Sequence, residues 1–85
     1  MNDWSYIVLK PAVRYLKRAP KAVQKRIVDA LDQLVVDPKS ADVKPMKGRP
    51  ELRLRVGRYR VLFRVDEDSQ RFVITQIGPR GDVYK

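Results

Sequence analysis

Residues 51–65 read ELRLRVGRYRVLFRV, and this stretch decides the fold. Apolar and charged residues alternate from 51 to 56, which is the pattern of a strand with one buried face. Gly57 then marks a tight connection, because glycine supplies the positive φ that such a turn needs. A second strand over 59–65 follows directly. The stretch therefore predicts a β-hairpin with an apolar face and an arginine-rich face.

The region before this hairpin predicts a strand and two helices. A short apolar and β-branched run indicates a strand over 6–9. Pro11 suits the first turn of a helix, which ends before Pro20 because the residue preceding a proline avoids the helical region. Pro20 opens a second helix, in which apolar residues recur every three or four positions until Asp37-Pro38 ends it. The first half is therefore a strand followed by a helical hairpin.

The rest of the chain predicts loops and one more strand. Three prolines and few large apolar residues make 38–50 a predicted loop. A polar turn over 66–70 leads to a last strand over 71–77, and 78–85 is predicted to be a loop and tail. The order of elements is βααβββ. We therefore expect a single α+β domain over 1–85, with the helical hairpin packed on a small, mainly antiparallel sheet.

Composition excludes several classes of function. The chain has 19 lysines and arginines, 10 acidic residues and a net charge of +9. This excess indicates a polyanionic partner, which is nucleic acid, an anionic membrane surface or an acidic protein. Without cysteine or histidine there is no disulfide, thiolate nucleophile, Ser-His-Asp triad or histidine-based ribonuclease pair. No membrane-spanning run or secretory signal is visible, so we expect a cytoplasmic protein.

The positive charge is concentrated between residues 44 and 64. This segment has eight basic residues, and Glu51 is its only acidic one. Period two places Arg53, Arg55 and Arg60 together on the face that points away from the helices. A solvated face is the plain alternative, but such faces usually mix signs, whereas this one repels itself unless a polyanion binds. Guanidinium groups match phosphate geometry well. The predicted phosphate-binding residues, which would bind RNA if the polyanion is RNA, are Lys47, Arg49, Arg55, Arg58 and Arg64.

Three segments, KGRPELRLR over 47–55, YRVLF over 59–63 and IGPRGDVY over 77–84, carry a resemblance to a known family. They are similar to RelE-type toxins of bacterial and archaeal toxin–antitoxin pairs, whose fold has the same βααβββ order. The resemblance implies a ribosome-dependent endoribonuclease that cuts mRNA without a metal and is held inactive by an acidic, RelB-like antitoxin. ParE-type gyrase inhibitors share the fold and usually lack the arginine-then-tyrosine ending.

The resemblance also implies roles for individual residues. Arg60 matches the family's phosphate-binding arginine, and Arg80 matches the arginine at the end of the last strand. Tyr84 matches the tyrosine that stacks on or orients the substrate base. Arg53 falls where well-studied members have a lysine that accepts a proton. Here the sequence departs from the family pattern, since arginine keeps its proton and is a poor base.

RNA is cleaved without a metal when its own 2′-OH attacks the adjacent phosphorus. The step needs a proton acceptor, charge stabilisation on the phosphorane and a proton for the leaving 5′-oxygen. Arg80 would donate a proton to the leaving 5′-oxygen or neutralise its charge. The predicted charge-stabilising residues are Arg53, Arg55 and Arg60. The proton acceptor stays open among Glu51, Lys47 and Tyr84.

Three functions remain open from the sequence. The first is an RNase toxin of the RelE type, which the ending with Arg80 and Tyr84 favours. The second is a ParE-like toxin that inhibits gyrase by binding. The third is a catalytically inert member that keeps RNA or antitoxin binding, which the missing lysine at position 53 favours. A membrane-surface protein is the weakest option, because neither helix pairs a large apolar face with a solidly basic one.

Overall fold

Two helices lie on one face of a five-stranded sheet in the computed structural model, which describes residues 3–79. The elements are β1 (Ser5–Val8), α1 (Lys10–Arg18), α2 (Lys21–Val36), a 3₁₀ turn (Pro38–Ser40), β2 (Val43–Pro45), β3 (Leu52–Val56), β4 (Tyr59–Asp66) and β5 (Arg71–Pro79). The strand order is β1-β5-β4-β3-β2. β1 runs parallel to β5, and the other neighbouring pairs are antiparallel. The predicted α+β fold, with a helical hairpin on a mainly antiparallel sheet, is confirmed.

Two of the predicted loops are wrong in part. The stretch 38–50 contains the 3₁₀ turn and β2, which pairs antiparallel with β3. β2 has three residues and ends on Pro45, so it has no strand pattern of its own. It forms at the sheet edge, where proline is tolerated, because β3 offers it backbone partners. β5 likewise continues past Ile77 to Pro79, since Pro79 still pairs with Tyr59 across the sheet.

The apolar stripe of α2 forms the centre of the core, against the helix-facing side of the sheet. The buried residues of this stripe are Ile27, Leu31 and Leu34. Burial of each such side chain stabilises the fold by about 1.5–3 kcal/mol. Aromatic pairs flank this centre: the Trp4 and Phe72 ring centroids lie 5.0 Å apart, and those of Tyr15 and Tyr59 lie 6.4 Å apart. The helices therefore cover one face of the sheet and leave the other face open.

The predicted connection at Gly57 is confirmed. Val56 pairs directly with Tyr59, so only Gly57 and Arg58 join β3 to β4. Gly57 has a φ of +58° and Arg58 is not among the residues with positive φ, which is the combination of a type II′ turn. This turn fits the twist of the two strands and sets their register. It thereby decides which arginines face one another across the hairpin.

A β-bulge interrupts the pairing of β4 with β5. Leu62 pairs with Gln76 while the next residue, Phe63, pairs with Ile74. Thr75 is therefore the extra residue on β5, and it has no direct partner in the register. The bulge lets both Ile74 and Ile77 face the core although they are three positions apart. No helix within residues 3–79 has the length and apolar character needed to cross a membrane.

Candidate functional site

The face of the sheet opposite the helices is lined by cationic side chains, as predicted. On β3, Leu54 and Val56 are buried, whereas Arg55 is exposed and Arg53 is half-buried. Residues directly opposite one another in an antiparallel pair project to the same side. The pairings of β2, β3 and β4 therefore place five cations on one side, which we call the basic face. Its residues are Lys44, Arg53, Arg55, Arg60 and Arg64.

Like charges sit directly opposite one another on this face. Arg55 pairs with Arg60, and Lys44 pairs with Arg53. Such cross-strand pairs of like charge are destabilising, because the two side chains are held close together. An anion placed between them would reverse the sign of that interaction. The arrangement therefore suits a polyanion more than bare solvent.

A cleft of about 300 Å³ opens between the basic face and the loop after β2. The residues lining it are Pro45, Met46, Lys47, Arg53 and Arg60. We call it the basic cleft. The structure thus brings together Arg53 and Arg60, which the family resemblance assigned to catalysis, and Lys47, which was predicted to bind RNA. Guanidinium groups on two adjacent strands, with an amine from the loop, form an arrangement that can hold a phosphodiester.

The side chain of Arg53 also packs against the sheet. Leu62 lies on the basic face, directly opposite Arg53, and is nevertheless fully buried. The Nε atom of Arg53 is itself shielded from solvent. Both observations indicate that the aliphatic part of Arg53 lies over Leu62, as long cationic side chains often do on apolar surface. This packing restricts the Arg53 guanidinium and reduces the entropy lost when it binds a phosphate.

A second opening of about 400 Å³ lies at the turn between β3 and β4. It is lined by Arg55, Gly57, Arg58 and Pro79. Arg26 of α2 reaches the same turn, since its Nη1 atom lies 3.2 Å from where a Cβ on Gly57 would stand. Arg55 and Arg58, both predicted to bind RNA, are therefore grouped here, apart from the basic cleft. A long anion such as an RNA strand could contact both openings.

Glu51 is the acidic residue of the segment 44–64, and within residues 3–79 two side chains make polar contacts with its carboxylate. Its Oε2 accepts a hydrogen bond from Thr75 Oγ1 at 3.2 Å, and its Oε1 lies 3.9 Å from Nε of Arg49. The Glu51 side chain is 18% exposed, whereas Arg49 is 43% exposed. The Arg49 contact is long and open to solvent, so it contributes little to holding the carboxylate. The bond from Thr75 is the better-defined one.

The remaining predicted site residues lie elsewhere. Arg64 belongs to the basic face but stands opposite Val73, beyond Leu62 as seen from the basic cleft. Arg80 and Tyr84 lie outside residues 3–79, so their roles stay predictions from the family resemblance.

Sequence reasoning missed two residues of this region. The spacing of the apolar residues of β5, two and then three, signals the bulge that turns Thr75 toward Glu51. Arg26 gave no signal, since it lies on a helix far from the hairpin in sequence.

The family profile described as "ParE toxin of type II toxin-antitoxin system, parDE" matches residues 6–84. The chain belongs to the ParE toxin family. It is thus a toxin of a type II toxin–antitoxin system, within the RelE/ParE superfamily that the sequence resemblance indicated. The profile reaches residue 84, so it includes the ending on which the preference for a RelE-type nuclease rested. Membership of the family therefore leaves the choice between the two toxin activities open.

Solved structures similar to this ParE-family toxin include RelE toxins. RelE in the archaeal RelE–RelB complex of Pyrococcus horikoshii is 28% identical, with a TM-score of 0.77 over 94% of this chain and 98% of that one. RelE in the RelB–RelE complex of Methanococcus jannaschii is 26% identical, with a TM-score of 0.72 over 92% of this chain and 94% of that one. The isolated Escherichia coli RelE toxin is 19% identical, with a TM-score of 0.71 over 95% of this chain and 90% of that one. At this low identity the similarity supports the fold alone. A comparison with curated protein sequences yields no significant match.

Proposed function

We propose that this ParE-family toxin is a ribosome-dependent mRNA endoribonuclease. The observation that carries the proposal is the basic cleft, where Arg53, Arg60 and Lys47 converge on one side of the sheet. Glu51 comes from the start of the same face, and it can accept a proton. A surface that only bound RNA would need the cations but not the carboxylate. The similarity to RelE structures at 26–28% identity adds to this proposal.

In the proposed mechanism the RNA supplies its own nucleophile. The 2′-OH loses its proton to Glu51, its oxygen bonds to the adjacent phosphorus, and the bond from phosphorus to the 5′-oxygen breaks. The products are a 2′,3′-cyclic phosphate and a 5′-hydroxyl end. Arg53 and Arg60 stabilise the charge of the phosphorane, and Arg80 donates a proton to the leaving 5′-oxygen or neutralises its charge until water protonates it. The family resemblance implies that this chemistry needs no metal.

Glu51 is the proton acceptor we favour among the three candidates. A carboxylate is ionised at neutral pH and is ready to accept a proton, whereas a lysine ammonium has no acceptor site. Lys47 lines the basic cleft with two arginines, so we assign it to phosphate binding. Tyr84 keeps the role that the family resemblance implies, stacking on or orienting the base. Proton transfer of this kind contributes about 10²–10⁴-fold to a rate.

We further propose an acidic, RelB-like antitoxin and the ribosome with its mRNA as the partners of this chain. The similar RelE structures from Pyrococcus horikoshii and Methanococcus jannaschii are complexes with RelB. A net charge of +9 favours an acidic partner, because complementary charge speeds association and neutralises repulsion within the basic face. The like-charge pairs Arg55–Arg60 and Lys44–Arg53 are the positions where such neutralisation gains most.

A second candidate function is inhibition of gyrase by binding, without nuclease chemistry. The match to the ParE family profile favours it specifically. On this alternative the cations of the basic face bind protein or DNA, and Glu51 has no chemical role. The two functions therefore differ in what Glu51→Gln does, since only a nuclease needs the proton acceptor.

The test is cleavage of end-labelled mRNA on programmed ribosomes under single-turnover conditions. We expect wild-type protein to cleave and Arg60→Gln to lower the rate by about 10²-fold or more, because a charge-stabilising group is lost. Arg14→Gln is the matched control, since it removes the same charge from exposed α1 on the other side of the sheet. Absence of cleavage by the wild type, together with inhibition of gyrase supercoiling, would establish the second candidate instead.

A further inference from the structure

The β-bulge in β5 brings a hydroxyl group to the basic face. Thr75 Oγ1 lies 3.2 Å from Glu51 Oε2 and 3.2 Å from the backbone oxygen of Leu62. A threonine hydroxyl has one proton to donate, so these two acceptors share it. Thr75 therefore links the carboxylate of Glu51, at the start of β3, to the backbone of β4 from its own place on β5.

The bulge is what makes this contact possible. β3 and β5 are not neighbours, because β4 lies between them, and two strand spacings amount to about 10 Å. The extra residue in β5 shifts its register by one position between Leu62 and Phe63. This shift leaves Thr75 free of a direct partner, and its side chain reaches over β4 toward the basic face. In an unbroken strand, alternation would have sent position 75 and position 76 to opposite faces.

Thr75 is well suited to hold a carboxylate in one place. Its branched Cβ restricts its side-chain rotamers, and its bond to Leu62 O fixes the hydroxyl further. The other contact of Glu51, from the exposed Arg49, is long at 3.9 Å. Thr75 contacts Oε2, whereas Oε1 has the long, solvent-exposed contact with Arg49. Oε1 is therefore the less firmly held oxygen, and it can exchange Arg49 for another partner.

We propose that Thr75 is a positioning residue for proton transfer in this toxin. It holds Glu51 Oε2 so that Oε1 accepts the proton of the RNA 2′-OH as the 2′-oxygen bonds to phosphorus and the 5′-oxygen leaves with its electron pair. This inference rests on the proposed nuclease function. Thr75 itself touches no reacting atom. Its contribution is to keep Glu51 in reach of the phosphodiester that Arg53 and Arg60 bind.

The first test compares Thr75→Val with Thr75→Ser on programmed ribosomes. Valine keeps the shape and removes the hydroxyl, whereas serine restores it. We expect Thr75→Val to lower the single-turnover rate at saturating ribosome by about 10-fold, and Thr75→Ser to stay within about 3-fold of wild type. The ribosome concentration at half-maximal rate should not change, because the arginines supply binding. Equal rates for Thr75→Val and wild type would overturn the proposal.

The second test is a double-mutant cycle with Glu51→Gln. If Thr75 acts through Glu51, Thr75→Val should add no further loss in the Glu51→Gln background. An equal loss in both backgrounds would assign Thr75 to a general structural role. Thermal unfolding of each variant is measured alongside, because Thr75→Val also removes a partner of Leu62 O.

A crystal structure of each Thr75 variant separates failure of this inference from failure of the proposed function. We expect the Glu51 carboxylate to leave its position in Thr75→Val and to keep it in Thr75→Ser. An unmoved carboxylate in Thr75→Val overturns the positioning role even if the wild type cleaves RNA. A wild type that does not cleave mRNA on ribosomes refutes the nuclease and this inference with it.

Discussion

Arg55 of β3 stands directly opposite Arg60 of β4, so two guanidinium groups are held side by side on the open face of the sheet. Like charges held directly opposite one another in a sheet repel, and a bound anion reverses the sign of that interaction. Removing one of them should therefore stabilise the free protein while it weakens binding of RNA.

We expect Arg55→Gln to raise the free energy of unfolding by about 0.2–1 kcal/mol at low salt. Arg64→Gln is the matched control, since Arg64 stands opposite uncharged Val73 on β5. The measurement is chemical denaturation at low and at high ionic strength, where screening should remove the difference. A destabilised Arg55→Gln at low salt would show that the pair is not repulsive in the free protein.

The salt dependence of ribosome binding should report the contacts of the basic cleft. Each phosphate contact contributes about 0.7–0.9 to the slope of log affinity against log salt. We expect Arg53→Gln and Arg60→Gln each to reduce that slope, whereas Arg14→Gln on α1 leaves it unchanged. Equilibrium binding measured over a series of salt concentrations gives the slopes. Unchanged slopes in both cleft variants would place the phosphate contacts elsewhere.

Substitutions of Tyr84 should distinguish base stacking, which the family resemblance implies for this residue, from a role in proton transfer. Phenylalanine keeps the stacking ring, whereas alanine removes it, and stacking on a base is worth about 1–3 kcal/mol. We expect Tyr84→Phe to keep most of the cleavage rate and Tyr84→Ala to lose about 10–100-fold. Single-turnover cleavage on programmed ribosomes measures both. Full activity of Tyr84→Ala would remove the strongest reason for preferring a nuclease to a gyrase-binding toxin.

The Tyr6 hydroxyl of β1 should make the fold sensitive to alkaline pH. It donates to Asp32 Oδ1 of α2 at 3.2 Å. Burial first, and then the Asp32 charge and this hydrogen bond, raise the pKa of Tyr6 above its usual value of 10.0. A raised pKa means that the folded state favours the protonated phenol, so the contribution is complete below pH 10 and is lost as pH rises above it.

Tyr6→Phe removes this titration. The difference in unfolding free energy between wild type and Tyr6→Phe should therefore shrink as the pH is raised from neutral to above 10. Comparing the two proteins at each pH cancels the lysines, which titrate in both. A difference that stays constant with pH would contradict the assigned linkage.

Replacing the glycine at position 57 of the hairpin turn should destabilise the fold. Gly57 has a φ of +58°, and a Cβ there would lie 3.2 Å from Arg26 Nη1. Gly48 has a φ of +74° with nothing within 4 Å of its would-be Cβ, so Gly48→Ala isolates the backbone strain. We expect each alanine variant to cost about 1–2 kcal/mol of stability from strain, measured by chemical denaturation. Gly57→Ala should lose somewhat more, because the Arg26 guanidinium must also move.

The hairpin of β3 and β4 could be predicted from sequence because its information is local. Alternation of apolar and charged residues sets which side of each strand is buried, and Gly57 sets the turn that aligns the two strands. The grouping of Arg53, Arg55 and Arg60 on one face follows from these two facts alone. The same reasoning located the stripe of α2 that forms the core.

Other features were decided only by tertiary structure, since they depend on pairing between distant segments. β2 has no strand pattern in its three residues and exists because the edge of β3 binds it. The bulge at Thr75 arises where β4 and β5 accommodate one another, and it alone joins Thr75 to Glu51, 24 positions apart in the chain. Arg26 reaches the turn at Gly57 only because α2 packs across the sheet. Residue type and periodicity therefore determined the faces of the strands, whereas the contacts that orient individual side chains on the basic face required the three-dimensional register.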